Sequence, residues 1–189
     1  IEALEGGKID LSGVTTITGQ AGGTGNDRGI QVVADGTDSE VDLSALTSFT
    51  NEAPEPDSKL TARNGGTILA SNLTALDGVG IDIDETGNLA TSQINSLTCG
   101  AVSIDGVAVD FTGLTDVSSN SFTLLNGGTA NLSNVTTAND TSFSVNDGVT
   151  LNLDNVTNAV GASFFVNEGV TLSLPNLTSY TSSDERFED

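Results

Sequence analysis

The feature that most constrains this chain is a repeat. A central apolar residue within a recurring short motif falls at positions 14, 46, 73, 94, 114, 135, 156 and 177. The first two intervals are 32 and 27 residues, and the remaining five are 20 or 21. The clearest copies are Gly148-Val-Thr-Leu-Asn-Leu-Asp-Asn-Val-Thr157 and Gly169-Val-Thr-Leu-Ser-Leu-Pro-Asn-Leu-Thr178, with Gly128-Thr-Ala-Asn-Leu-Ser-Asn-Val-Thr136 upstream. A fixed period of this length describes a stack of supersecondary units, each too small to bury its own apolar face.

The pattern inside one repeat names the unit. Leu151, Leu153, Val156, Ala159, Phe164 and Val166 are matched one repeat earlier by Ala130, Leu132, Val135, Ala138, Phe143 and Val145. Before them stand Val109, Phe111, Leu114, Val117, Phe122 and Leu124. Pairs two apart share one side of a strand, and the intervals of three and five leave room for corners. No segment keeps a helical period. Parallel pairing of each strand with its copies above and below joins the apolar sides into one core. The predicted fold is all-β, a right-handed parallel β-solenoid (β-helix) of about eight coils of about 21 residues, the first two longer. It spans residues 1–181 as one domain, with 182–189 as a charged tail, cap or linker. Ile1 and Ala3 align with Phe122 and Leu124, so the chain begins inside a coil and is expected to continue on its N-terminal side.

Corners carry their own residues. Asn64 and Asn126 open Asn-Gly-Gly, and Asn146 and Asn167 open Asn-Asp-Gly and Asn-Glu-Gly, sequences that tolerate positive φ. Asn72, Asn134, Asn155 and Asn176 stand one residue before the central apolar position and are expected to bond amide to amide up the stack. Thr15, Thr47, Thr74, Thr115, Thr136, Thr157 and Thr178 form a second column just after it. Sequons at Asn72, Asn131, Asn134, Asn139, Asn155 and Asn176 mostly coincide with this corner and are read as ladder chemistry.

Charge excludes some partners. With 5 basic and 26 acidic residues the net charge is −21, which repels a phosphate backbone and argues against nucleic acid. There is no basic cluster for an anionic membrane surface and no run of ~20 apolar residues for insertion. Hard cations such as calcium fit an acidic chain. Histidine is absent, which removes triad chemistry. Cys99 is the one cysteine and cannot form an internal disulfide; beside inward Leu97 it is expected to be buried or half-buried and inert.

Gly-Val-Thr-Leu-Asn-Leu-Asp-Asn-Val-Thr and Val41-Asp-Leu-Ser-Ala-Leu-Thr47 resemble the repeats of parallel β-helix proteins of bacterial surfaces and secretions. Leu174-Pro-Asn-Leu-Thr178 also resembles repeats of receptor L-type domains. The resemblance implies an architecture and an extracellular or cell-surface setting, and no particular activity. The expected function is a non-catalytic module of a larger surface or secreted protein. It would bind polysaccharide or extracellular matrix, or act as a spacer or adhesin stalk between flanking domains of the same polypeptide. The alternative is a carbohydrate-active lyase or hydrolase on the same scaffold. Elimination needs a base beside a carboxylate, often with calcium, and hydrolysis needs two carboxylates across the bond.

Two places are candidate sites. The long first coils add residues mostly at 20–28 and 50–58, which brings Asp27, Arg28, Glu52, Glu55 and Asp57 into one neighbourhood, with Lys59 and Arg63 nearby. Insertions on repeats often mark a binding face, although solenoids tolerate loops at any corner. Asp82-Ile-Asp84-Glu-Thr86-Gly87 matches the first half of a calcium loop, which makes Asp82 and Asp84 candidate ligands. The closing Glu is missing, since Gln93 holds that position. The repeat register gives the same segment a second reading: Ile81 and Ile83 inward, Asp82 outward, and Asp84 to Gly87 as a corner.

Overall fold

The computed structural model describes residues 1–19, 29–52, 58–146, 149–167 and 169–182. Among them the secondary structure is strands and turns, with no helix. The strands occupy three faces. The first face is an eight-stranded sheet of Glu2–Leu4, Gln31–Asp35, Ser58–Arg63, Val79–Ile83, Ala101–Asp105, Ser121–Leu125, Ser142–Val145 and Ser163–Val166. Its order follows the chain, and every neighbouring pair is parallel.

The second face begins with a four-stranded sheet of Lys8–Asp10, Glu40–Asp42, Thr67–Leu69 and Asn88–Leu89. It continues as two parallel pairs, Ala108–Asp110 with Thr129–Asn131 and Thr150–Asn152 with Thr171–Ser173. The third face stacks Thr16–Gly19, Ser48–Asn51, Ala75–Asp77 and Ser96–Thr98. Beyond these it thins to single parallel bridges, Asp116 to Thr137 and Thr137 to Asn158. All-β structure with long parallel sheets is compatible with the parallel solenoid that the repeat predicts.

Register decides what the core contains. Ala3, Ala34, Ala62, Ile83, Ile104, Leu124, Val145 and Val166 are paired in turn along the first face. All but Val166, which lies in the last strand, are buried. The Ile1 and Ala3 alignment read from sequence is the one the strands adopt. In several repeats a large side chain on one face goes with a small one on another, as close packing favours. Where the third face supplies Phe49, the first face supplies Ala34 and Ala62. The third-face position is Val117 in the repeat of Phe122 and shrinks to Ala138 and Ala159 in the repeats of Phe143 and Phe164. Those phenylalanines stack up the column, with centroids 5.5 Å apart from Phe122 to Phe143 and 5.6 Å from Phe143 to Phe164.

Two polar ladders tie the repeats at a corner. Thr47, Thr74, Thr136 and Thr157 each donate a hydroxyl to the carbonyl of the threonine below: Thr15, Thr47, Thr115 and Thr136. The asparagine column works differently from the expected amide-to-amide ladder. Asn72, Asn134, Asn155 and Asn176 donate Nδ2 to the backbone carbonyls of Ser44, Thr112, Ser133 and Asp154 in the repeat below. A tight corner leaves those carbonyls without a strand partner, and the asparagine amide one repeat above supplies a donor. An amide-to-amide bond does form at another corner, from Asn167 to Asn146.

Cys99 also departs from expectation. It is exposed, with φ of 52°, because the chain makes a left-handed turn directly after Ser96–Thr98.

Val156 is fully buried. We expect Val156→Asp to lower stability by more than about 3 kcal/mol, the order for an unpaired buried charge. Asn155→Ala should cost only about 1 kcal/mol, since it removes one exposed side-chain bond. Denaturant midpoints of the two variants check the register; a Val156→Asp chain as stable as the parent would refute it.

Candidate functional site

Alternation on the first face sets the site. Leu60 and Ala62 point inward, which turns Lys59 and Arg63 outward at the two ends of Ser58–Arg63. Arg63 lies in register with Asp35 one repeat below, and its Nε donates to Asp35 Oδ2 at 2.9 Å. Asn64 Nδ2 donates to the other oxygen, Oδ1, at 2.8 Å. Lys59 reaches upward instead, with Nζ 3.8 Å from Asp82 Oδ2. Both ion pairs are partly exposed, so each contributes on the order of 0–1 kcal/mol.

Asp84 is the hub of the next corner. Its Oδ2 accepts from Asn64 N at 2.8 Å. Its Oδ1 accepts from Thr86 N and Thr86 Oγ1, both at 3.0 Å, and from Gly87 N at 2.8 Å. Gly65 N donates in turn to Thr86 Oγ1 at 3.0 Å. Burial pushes the Asp84 carboxyl up, but these donors together outweigh it and hold the group below the usual carboxylate value. Asp35 is held low as well, first by the Asn64 amide and then by Arg63.

This geometry bears on the calcium reading. Ile81 and Ile83 are buried, Asp82 faces Lys59, and Asp84 caps a turn. Backbone and side-chain donors already occupy both oxygens of Asp84. Among the described residues no group of three or more Asp, Glu, Cys or His side chains is gathered to hold a metal ion.

The insertion site is only partly visible. Asp27, Arg28, Glu55 and Asp57 lie outside the described residues. Glu52 is exposed just past Ser48–Asn51, and its N–H donates to the Gly19 carbonyl at 3.0 Å. Gly19 pairs with Asn51 where the two insertions leave the third face. Lys59 N donates to Ile30 O at 3.2 Å where they rejoin the first. Both insertions therefore open at the same corner, with Lys59 beside it on the first face, whereas Arg63 stands at the far end of its strand against Asp35.

A recurring acid role was missed by sequence reasoning. Asp10, Asp42 and Asp110 accept the N–H two residues on, from Ser12, Ser44 and Thr112. Asn131 and Asn152 do the same for Ser133 and Asp154. These are side-chain caps on the turn that ends the second face. The signal is Asp/Asn-x-Ser/Thr at the repeat period, with Asp154 in the last place of one copy.

Two shallow grooves lie nearby. One of about 380 Å³ is lined by Asp84, Glu85, Asp105, Gly106 and Asn126. Another of about 280 Å³ lies at the second-face break and includes Leu89, Thr91, Val109 and Asp110 in its lining. Searches against protein-family models, curated proteins and solved structures find no match to this chain.

A carboxyl held low in the folded state stabilises the fold above its ordinary value, about 3.9, and loses that contribution as pH falls through the folded value. We expect Asp84→Asn to melt below the parent at about pH 7 and the gap to narrow toward about pH 3. Thermal melts across that range test it; a gap that stays constant would show that Asp84 ionisation contributes nothing.

Proposed function

We propose that this chain is a right-handed parallel β-solenoid of about eight coils, serving as a non-catalytic module of a larger extracellular or cell-surface protein. It binds a polymer such as a polysaccharide or matrix component along its outside, or separates flanking domains. The observation that carries this reading is the unbroken inward column from Ala3 to Val145, buried at every step. Side chains fill that interior, so recognition falls to the outer faces and corners. The right hand follows from the general preference of parallel crossovers in one sheet. Eight coils at ~4.8 Å each give a rod about 40 Å long.

The outer faces supply the supporting chemistry. Thr16 and Thr18 stand in register with Ser48 and Thr50, and Ala108 and Asp110 with Thr129 and Asn131. Hydroxyl, amide and carboxylate groups at a step of ~4.8 Å match a ligand that repeats its own hydroxyls. Aromatic platforms for sugar rings are few: the chain has one Tyr and no Trp, and most of its Phe residues are buried. Affinity would therefore rest on polar contacts and on the insertion corner.

Glycan-array screening of the chain, beside a variant with residues 50–58 shortened to the repeat length, tests the binding reading. Binding that weakens in the variant supports the corner as the site. Binding that survives unchanged moves it to a face, and no binding to any glycan leaves the spacer reading.

A further inference from the structure

We propose that Asn126 is a site of spontaneous covalent modification, deamidating through attack by the Gly127 nitrogen, while the matching Asn64 is protected by the fold. The two sites form a matched pair. Both are Asn-Gly-Gly corners at the end of a first-face strand. Asn64 and Asn126 have φ of 53° and 50°, and Gly65 and Gly127 have 86° and 84°. Both amides donate to an aspartate one repeat below, Asn64 to Asp35 at 2.8 Å and Asn126 to Asp105 at 2.6 Å.

They differ at the nucleophile. Gly65 N donates to Thr86 Oγ1 at 3.0 Å, and Asn64 N donates to Asp84 Oδ2 at 2.8 Å. Among the described residues the Gly127 N–H has no partner, and an added Cβ at Gly127 would meet nothing within 4 Å. The Asp-Gly pairs are also guarded: Gly36, Gly78 and Gly106 donate to the carbonyls of Arg63, Thr98 and Leu125. Among the described Asx-Gly pairs, only that at Asn126 leaves the attacking nitrogen unbonded.

The reaction needs only water and base. Base removes the Gly127 amide proton, and the nitrogen bonds to Asn126 Cγ. The protonated base returns that proton to Nδ2, the Cγ–Nδ2 bond breaks and ammonia leaves, closing a succinimide. Water then opens either carbonyl of the ring, giving aspartate or isoaspartate. The new carboxylate would stand where the amide now donates to Asp105, and would make the groove of Asp84, Glu85 and Asp105 more acidic.

The full chain, aged at mildly alkaline pH and read by peptide mapping with mass spectrometry, tests this. Asn126 should deamidate faster than Asn64 by roughly fivefold to tenfold, the range one hydrogen bond allows. The two rates should converge when the parent chain is aged in denaturant, and Thr86→Val should raise the Asn64 rate in the folded chain. Equal rates in the folded parent, or a ratio that persists in denaturant, would overturn the proposal. So would a folded Thr86→Val chain whose Asn64 is no faster; should that variant not fold, the folded and denatured parent still decide.

Discussion

Parallel pairing in register, one repeat at a time, is the constraint on which the rest of this molecule depends. It fixes each side chain above its own counterpart, so a residue has two sets of neighbours: those in its repeat and those in its column. Core volume is settled within a repeat, which is why Phe49 goes with Ala34, and Phe143 with Ala138. Polar bonding is settled along a column, which is why threonine hydroxyls reach the carbonyl of the threonine below. A residue added inside a strand would shift every later side chain to the wrong side. Extra length can therefore enter only at corners, where Gly19 pairs with Asn51 and the long repeats open.

The columns were legible in the sequence because inward residues keep both the repeat period and the two-residue alternation. Ala3 over Ala34 and Ile83 over Ile104 were there to be aligned. What alignment does not contain is the vertical offset between a side chain and the backbone below it. Asn155 was legible as a member of a column, but its acceptor proved to be Ser133 O rather than another amide. The nearest amide already had a use, since Asn134 donates to Thr112 O, whereas the corner carbonyl lacked a strand partner. Cys99 failed for a related reason. The inward position of Leu97 says nothing of a left-handed turn two residues later.

The candidate site was legible in part. Asp82 outward between buried Ile81 and Ile83 follows from alternation alone. The role of Asp84 does not, because its four donors come from two repeats, Asn64 from one and Thr86 and Gly87 from the next. A linear motif reads Asp82 and Asp84 as partners, whereas the stack points one at Lys59 and the other into the turn.

The same constraint makes a charge of −21 a problem, because a column that repeated an acid would place carboxylates one strand step apart. At ~4.8 Å and in water, one such pair costs on the order of 1 kcal/mol. A hydrogen bond to a charged group contributes about 1.5–3 kcal/mol, so a local donor can outweigh one like-charged neighbour but not a long run of them. The columns obey that limit. Asp10 stands in register with Asp42, each takes a serine N–H, and the next position is Leu69. Asp35 is followed by Arg63 in register, and Asp105 is followed by Leu125. Acids in these columns occur singly or in pairs, capped by the turn and then interrupted, so acidity accumulates along the chain without accumulating in these columns.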